Sequence, residues 1–311
     1  MTKPIEDKLS KIPIINWLAK LAKKIKIPGL FGMSLYDVIE MYVIGILKGA
    51  LTSRAGGIAF SFFMALFPFL LFILTLIPYV PIEGFQQDFL FMIEQLLPPK
   101  TVKSVQDVIN DIANNRYGEL LSFGFIASIF LMTNGVNAVL GGFEYSYHIK
   151  VMRNTVRQYL ISMGMAILLS FILVFTVAVT IYFEIGINDL KTHGWLDDDV
   201  FWIEKGQFVF FIMLVFVSVS FLYKYGTKAI KHRHFFTPGS FLTTLLTLLM
   251  FKLFGVYVEK FATYNELYGS IGTLLILMLF VWLNSIILLL GFELNASINI
   301  LRRSYIKENK L

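Results

Sequence analysis

The sequence predicts an all-α polytopic membrane protein with six transmembrane helices, and three observations support this prediction. Hydrophobic residues make up 57% of the chain and charged residues only 15%, whereas soluble domains carry about 25% charged residues. Six apolar segments follow one another along the sequence, and about 20 apolar residues suffice to cross the ~30 Å hydrocarbon core of a bilayer. Basic residues are concentrated on one side of these segments. The surroundings of most of this chain are therefore expected to be lipid.

The first 33 residues are predicted to form a basic amphipathic helix on the cytoplasmic side. Its apolar residues recur at helical spacing: Ile14, Leu18, Leu21 and Ile25. Lysines occupy the other faces, so the helix is expected either to lie on an anionic leaflet or to pack on the membrane domain as a solvated basic helix. The segment has a single Trp, whereas nucleic-acid surfaces interleave aromatic with basic residues, so no nucleic-acid partner is predicted.

The membrane domain is predicted to cover residues 34–299, followed by a basic cytoplasmic tail at 300–311. The six spans are predicted at 55–82, 120–143, 159–183, 206–223, 235–258 and 267–292. The loop at 83–119 shows helical patterning and is expected to form two short amphipathic helices on the opposite side of the membrane.

A second amphipathic segment, residues 34–54, is expected to lead into the first span. Ser34 precedes its first apolar residue and is predicted to be the N-cap. Pro68 lies inside the first span, and a proline in a helix interior removes a hydrogen bond, so a kink is predicted there.

The distribution of basic residues predicts the orientation of the spans. Six spans place both termini on one side, and 20 of the 27 Lys and Arg lie in the segments on that side, against six in the opposite loops. Basic loops stay in the cytoplasm. Both termini are therefore expected to be cytoplasmic, in the cell inner membrane.

Two stretches resemble a known family. They are SRAGGIAFSFFMALFPFLLFILTLIP at 53–78 and YGSIGTLLILMLFVWLNSIILLLGFELNASI at 268–298. They are similar to the YihY/BrkB family of bacterial inner-membrane proteins, and the resemblance covers about residues 35–299. The most specific matches are the Phe-Pro pair at 67–68, Tyr-Gly-Ser at 268–270 and Gly-Phe-Glu-Leu-Asn-Ala at 291–296.

The resemblance implies six spans with cytoplasmic termini, in agreement with the distribution of basic residues. It also implies transport or export of an amphiphile or lipid. It brings no catalytic residues, although members of the family have carried the label ribonuclease BN.

The candidate site consists of polar residues at membrane depth, where a charged group costs about 2.5–3.5 kcal/mol unless it finds a partner or water. A stripe at helical spacing marks the cytoplasmic half of the second span: Asn134, Asn137, Gly141, Glu144 and His148. Glu293 and Asn295 lie near the cytoplasmic end of the last span, and Arg54 lies at the entrance of the first. We therefore expect Arg54, Glu144 and Glu293 at similar depth.

Two interpretations of this expected cluster remain open. In the first, a polar cavity opens to the cytoplasm, Arg54 binds an anionic head group, and Glu144 and Glu293 carry proton or cation coupling. In the second, the charges form a salt-bridge cluster that fastens helix ends together, because a buried charge needs an opposite charge whatever the function.

Lys252 is the one basic residue inside a predicted span. Its side chain is expected to extend along the helix to the outer interface. The alternative is that it binds an anionic lipid or substrate in the outer half of the membrane.

No enzyme chemistry is predicted. The chain has no Cys, which excludes thiolate metal sites. The His232 and His234 pair lies among basic residues, so no metal site is predicted there. The Asp197–Asp199 run lacks the ligand spacing of a calcium loop. No Gly-rich phosphate loop is present. We therefore predict no catalytic residue, no metal and no cofactor.

The predicted function is that of a transporter, exporter or flippase-like carrier of an amphiphilic substrate, anionic or lipid-like, with membrane lipids as partners. The alternative is a membrane scaffold or assembly partner without a substrate. A membrane-bound hydrolase or nuclease ranks last. Small residues at Gly135, Gly141 and Gly142 permit close helix contact within one chain or in a homo-oligomer.

Overall fold

The structure is a computed structural model, and it describes residues 21–26, 34–76, 78, 115–149, 153–192, 200–227, 235–260 and 270–308. Most of the predicted N-terminal helix, the outer-loop helices, the His232–His234 pair and the Asp197–Asp199 run lie outside these residues. Residues 21–24 are helical.

Long helices dominate the described part of the chain. In order they are α1 Leu35–Lys48, α2 Leu51–Leu76, α3 Gly118–Glu144, α4 Thr155–Thr192, α5 Val200–Tyr225, α6 Pro238–Lys260 and α7 Ser270–Glu308. Within the described residues, α3 to α7 each contain a segment long and apolar enough to cross a bilayer, and the bent pair α1–α2 supplies a sixth. The predicted all-α, polytopic membrane fold is thereby confirmed.

Helix α1 begins with the capping that the sequence predicts and then breaks before Arg54. The Ser34 hydroxyl accepts from the Asp37 N–H at 3.3 Å, and the Asp37 carboxylate accepts from the Ser34 N–H at 2.8 Å, a reciprocal capping box. The chain turns at Gly49 and at Ala50, which has a φ of 46°. The axes of α1 and α2 differ by 64°. Arg54 therefore belongs to α2, and the expected amphipathic segment 34–54 is two helices.

Helix α2 is long enough to cross the membrane by itself. Its 26 residues extend over about 39 Å, more than the ~30 Å hydrocarbon core. It continues as helix through Pro68 to Leu76, and the kink at Pro68 stays a prediction.

The six long helices pack in chain order and close on themselves. Each of α2 to α6 contacts the next helix, α7 returns to α2, and α1 lies against α7. The buried hydrophobic cluster joins residues of α2, α3, α4, α5 and α7. At its centre the rings of Phe143 and Phe292 are stacked with centroids 4.2 Å apart, and the Tyr223 ring lies 5.6 Å from Phe143. This core lies where α2 begins and α3 ends, beside residues 289–296 of α7, and this level of the bundle is hereafter the terminal side.

Helices α6 and α7 approach to backbone contact at two glycines. A Cβ on Gly239 would collide with the Gly291 carbonyl, and a Cβ on Gly291 would collide with the Thr243 hydroxyl and lie 2.6 Å from the Tyr223 hydroxyl. Tyr223 donates to the Leu288 carbonyl at 2.7 Å. Only glycine fits this crossing, because any side chain would separate the helices.

Candidate functional site

The centre of the site is a buried ion pair between Arg54 at the start of α2 and Glu293 in α7. Arg54 Nη2 lies 2.6 Å from Glu293 Oε1, and the two side chains are 7% and 0% exposed. Arg54 Nη1 donates to the Gly142 carbonyl at 2.7 Å. That carbonyl lies in the last turn of α3, where carbonyls have no partner within the helix. One guanidinium therefore joins three helices.

Both members of the pair make further contacts at the terminal side. The second carboxylate oxygen of Glu293 accepts from the Ser146 hydroxyl at 2.8 Å. Two glycines cover the pair, Gly45 in α1 and Gly49 directly after it: a Cβ on Gly45 would lie 2.9 Å from Glu293 Oε2, and one on Gly49 would lie 2.9 Å from Arg54 Nη2. Among the described residues Arg54 Nε is buried without a hydrogen-bond partner. The Nε–H donor of the guanidinium is therefore unused in the described part of the chain.

His148 does not continue the polar face of α3, which corrects the expected stripe. The helix ends at Glu144 because the N–H groups of Tyr145 and Ser146 bond back to carbonyls of the last turn. His148 then turns toward α1 and α7. Its Nε2 lies 3.1 Å from the Met41 carbonyl and 3.2 Å from the Ser297 hydroxyl. Since a carbonyl only accepts, Nε2 carries a proton and donates.

Glu144 pairs with Arg153 rather than with Arg54. Glu144 Oε2 accepts from the Arg153 N–H at 3.1 Å, and Arg153 Nε lies 3.9 Å from Glu144 Oε1. The Arg153 guanidinium donates to the carbonyls of Tyr225 at 2.8 Å and Gly226 at 3.2 Å, at the end of α5. Burial lowers the pKa of Arg153, and the Glu144 carboxylate acts in the opposite direction. The terminal side therefore holds two separate arginine–glutamate pairs.

Two other members of the stripe, Asn137 and Gly141, contact α4. Asn134 and Asn137 are half-buried, and Asn137 Oδ1 accepts from the Ser162 hydroxyl at 3.3 Å. A Cβ on Gly141 would lie 3.7 Å from the Gln158 amide nitrogen. The hydrogen bond between Asn137 and Ser162 satisfies polar side chains at the α3–α4 contact, as expected where lipid offers no hydrogen bonds.

Asn295 caps the start of α6. Its side-chain oxygen accepts from the Gly239 N–H at 2.9 Å, and its amide nitrogen donates to the Thr237 hydroxyl at 2.9 Å. The first N–H groups of a helix have no partner within the helix. Asn295 therefore supplies from α7 a partner that α6 lacks.

Replacing Asn295 by alanine should lower the free energy of unfolding by about 1–3 kcal/mol, because the Gly239 N–H would stay buried and unpaired. Asn284→Ala is the matched control, since the Asn284 amide donates to the Phe280 carbonyl of its own helix. Thermal unfolding in detergent measures both. Equal losses in the two variants would contradict the capping role of Asn295.

Lys252 lies on α6, 14 positions after Pro238, or about 21 Å along the helix axis. Its side chain is exposed. The neighbouring Phe251 instead packs on Phe211 of α5 and Phe280 of α7. The role of Lys252 toward an anionic lipid stays a prediction.

Two site residues are absent from the sequence prediction, Arg153 and Ser146, which donates to Glu293. The signal for Arg153 in the sequence is its position as a basic residue just before the third predicted span. In the described part of the chain no three His, Asp or Glu residues are grouped as metal ligands.

The fold and these buried charge pairs define a polytopic, all-α integral membrane protein. The chain belongs to the BrkB family: the family model described as "Virulence factor BrkB" matches residues 45–310. The expected resemblance is thereby confirmed, and it covers both members of the Arg54–Glu293 pair.

Curated relatives carry two kinds of name. The ribonuclease-like protein YfkH of Bacillus subtilis (strain 168) is 32% identical over 257 residues, which cover 78% of this chain and 88% of that protein. A UPF0761 membrane protein of Xanthomonas axonopodis pv. citri (strain 306) is 22% identical over 259 residues, and one of Xanthomonas campestris pv. campestris (strain B100) is 23% identical over 260. This chain spans 60% and 59% of the lengths of those two proteins. No solved structure matches.

Proposed function

We propose that this protein is a non-catalytic carrier that moves an amphiphilic, anionic or lipid-like substrate across the inner membrane, with both termini in the cytoplasm. Arg54 is the group that binds the substrate's anionic head group. Glu293 is the counter-ion of Arg54 when no substrate is bound.

The observation that supports this proposal is the buried Arg54–Glu293 pair with its unused Nε donor. Stability alone gives little reason for an ion pair here, because apolar residues of similar volume are often equally or more stabilising in a buried position. A guanidinium offers five donors in a planar fork that matches carboxylate and phosphate groups. Arg54 uses Nη1 for the Gly142 carbonyl and Nη2 for Glu293. The edge formed by Nε and Nη2 is therefore only half occupied.

An incoming phosphate or carboxylate would displace Glu293 and occupy both donors of that edge. Glu293 Oε2 already accepts from Ser146, so the displaced carboxylate keeps one hydrogen bond. Proton uptake by Glu293 would remove its charge at the moment of exchange. In this scheme Glu293 couples release of Arg54 to protonation.

Native mass spectrometry of protein extracted gently from its own membrane tests the binding step. Wild type should retain a specific anionic amphiphile, and Arg54→Gln should lose it by roughly tenfold or more, because a charge-assisted hydrogen bond contributes about 1.5–3 kcal/mol. Arg153→Gln is the matched control, since it neutralises the other buried arginine and should retain the ligand. Bulk lipid held equally by all three proteins would contradict the proposal.

A second candidate is a membrane scaffold that carries no substrate. Both glutamates of the terminal side are paired with arginines and nearly fully buried, as expected if the charges only fasten helix ends. A variant that lacks both members of the Arg54–Glu293 pair, yet folds and supports cell growth like wild type, would favour this candidate.

A further inference from the structure

We infer that α1 and residues 21–26 form one surface that binds the anionic leaflet of the membrane on the terminal side. This surface is distinct from the Arg54–Glu293 pair and goes beyond the proposed transport. The surface would bind lipid in the same way whether the protein is a carrier or a scaffold.

The outward face of α1 carries an apolar stripe that no described residue covers. Ile39, Val43 and Leu47 are 46%, 43% and 67% exposed. They follow one another at intervals of four, which places them on one side of a helix. The opposite side packs on α7 through Gly45. Helix α1 therefore separates a protein-facing side from an apolar side that is free to enter lipid.

The segment 21–26 extends this surface and adds positive charge. Its backbone is attached to the start of α1, because Lys26 and Ser34 form an antiparallel bridge and the Leu35 N–H donates to the Ile25 carbonyl at 2.8 Å. Leu21 and Ile25 are exposed apolar residues. The basic side chains of the surface are also exposed: Lys23, Lys24, Lys26 and Lys48.

The acidic residues of α1 compensate only half of this charge, because Asp37 and Glu40 stand against four lysines and leave a net charge of +2 on the surface. Asp37 is committed to the capping box with Ser34, and Glu40 is half-buried. The ammonium of Lys23 lies 4.4 Å from the centre of the Tyr36 ring, and that of Lys48 lies 5.3 Å from the Tyr147 ring. Lysines beside aromatic rings, next to an apolar stripe, are the composition of an interfacial helix on anionic lipid.

The angle between α1 and α2 fits the same assignment. The 26 residues of α2 are long enough, at about 39 Å, to cross the hydrocarbon core without α1. The 64° bend turns α1 away from the direction of α2, toward the plane of the bilayer. An exposed apolar stripe in that position meets the boundary between head groups and acyl chains.

The chain contains no Cys, so single cysteines can carry a fluorescent probe without background. We would label Val43→Cys in nanodiscs of phosphatidylcholine with or without phosphatidylglycerol, and quench with either a lipid-borne nitroxide or aqueous iodide. Phe171→Cys, at a position 71% exposed on α4, is the lipid-facing control. The Val43 probe should be quenched by the lipid-borne nitroxide and protected from iodide, most strongly with phosphatidylglycerol.

Replacing Lys23, Lys24 and Lys26 by glutamine should weaken the binding of this surface to membranes that contain phosphatidylglycerol. The equilibrium constant for that binding should fall by about fivefold per lysine. Arg157→Gln, which neutralises an exposed arginine at the start of α4 outside this surface, should leave it unchanged. Strong iodide quenching at Val43 would overturn the inference, because the stripe would then face water. Protection from both quenchers would also overturn it, by showing that protein covers the stripe. Quenching of the Val43 probe by the lipid-borne nitroxide that is equal with and without phosphatidylglycerol would overturn the preference for anionic lipid.

Discussion

Neutralising one member of the Arg54–Glu293 pair should lower the free energy of unfolding by about 3–5 kcal/mol, because the remaining charge stays buried without its partner. Neutralising both members should recover more than half of that loss. The singles are Arg54→Met and Glu293→Gln, and the double variant combines them. Unfolding in detergent, followed by heat or by denaturant, gives the four corners of a double-mutant cycle.

The Arg153–Glu144 pair provides the internal comparison for this cycle. Its charged atoms are 3.9 Å apart, against 2.6 Å for Arg54 and Glu293. The Arg153 guanidinium also keeps its bonds to the carbonyls at the end of α5. We therefore expect a smaller coupling energy for Arg153 and Glu144. Additive losses at Arg54 and Glu293, with no recovery in the double variant, would contradict the pair as the structure describes it.

The double variant also separates stability from function. If Arg54 binds substrate, the recovered protein should be folded and abundant yet retain no anionic amphiphile. If the pair only fastens helix ends, the recovered protein should behave as wild type in every functional measurement. Abundance and ligand retention are therefore to be measured on the same preparation.

Gly291→Ala should be the most damaging single-methyl substitution in α7. The added Cβ would collide with the Thr243 hydroxyl and the Gly239 carbonyl, both on α6. Relief requires that the two helices move apart, and overpacking of this kind costs about 1–3 kcal/mol or more. The movement would also disturb the Tyr223–Thr243 hydrogen bond.

Gly255→Ala is the matched control for this substitution. Gly255 also lies inside a long helix, and a Cβ there would meet no heavy atom within 4 Å in the described part of the chain. Alanine at an open helical position should stabilise by about 0.5–1 kcal/mol through backbone entropy. Thermal midpoints of the two variants should therefore shift in opposite directions. A shift of Gly291→Ala in the same direction as Gly255→Ala would show that the helices are not in backbone contact.

The architecture could be predicted from the sequence because the lipid bilayer restricts which segments can cross it. A span must be long and apolar, so uncharged runs identify the helices without any knowledge of their packing. The bend before α2 was not predicted. It depends on the backbone conformation of Gly49 and Ala50, and the pattern of apolar residues does not indicate that conformation. Local capping at Ser34 was predicted correctly, since the cap and its partner Asp37 are three residues apart.

The location of the candidate site could be predicted from the sequence, but most of the contacts between its residues could not. Arg54 and Glu293 are 239 positions apart, yet equal depth in the membrane sufficed to expect them near each other. The partner of Glu144 escaped the same reasoning because depth does not distinguish two arginines at one surface. That choice depends on where α3 ends and how the chain turns toward Arg153.

The segment Gly-Phe-Glu-Leu-Asn-Ala at 291–296 shows why a motif can be recognised before it is understood. Gly291 allows the backbone of α6 to approach closely, and Asn295 caps the start of α6. Phe292 stacks on Phe143, and Glu293 pairs with Arg54. Four of the six residues therefore contact three different helices, α2, α3 and α6. None of these contacts is visible in the spacing of the residues.

The apolar layer next to the Arg54–Glu293 pair has an electrical consequence. Ile58 lies four residues after Arg54, and Leu289 lies four before Glu293. With Val139 and Leu140 they form a fully buried layer, about one turn, or ~6 Å, deeper in the bundle. Transferring an ion into such a layer costs several kcal/mol even after relaxation, whereas a membrane voltage supplies about 2.3 kcal/mol per charge per 100 mV. The bundle can therefore hold buried charge near one surface without opening a conductive path across the membrane.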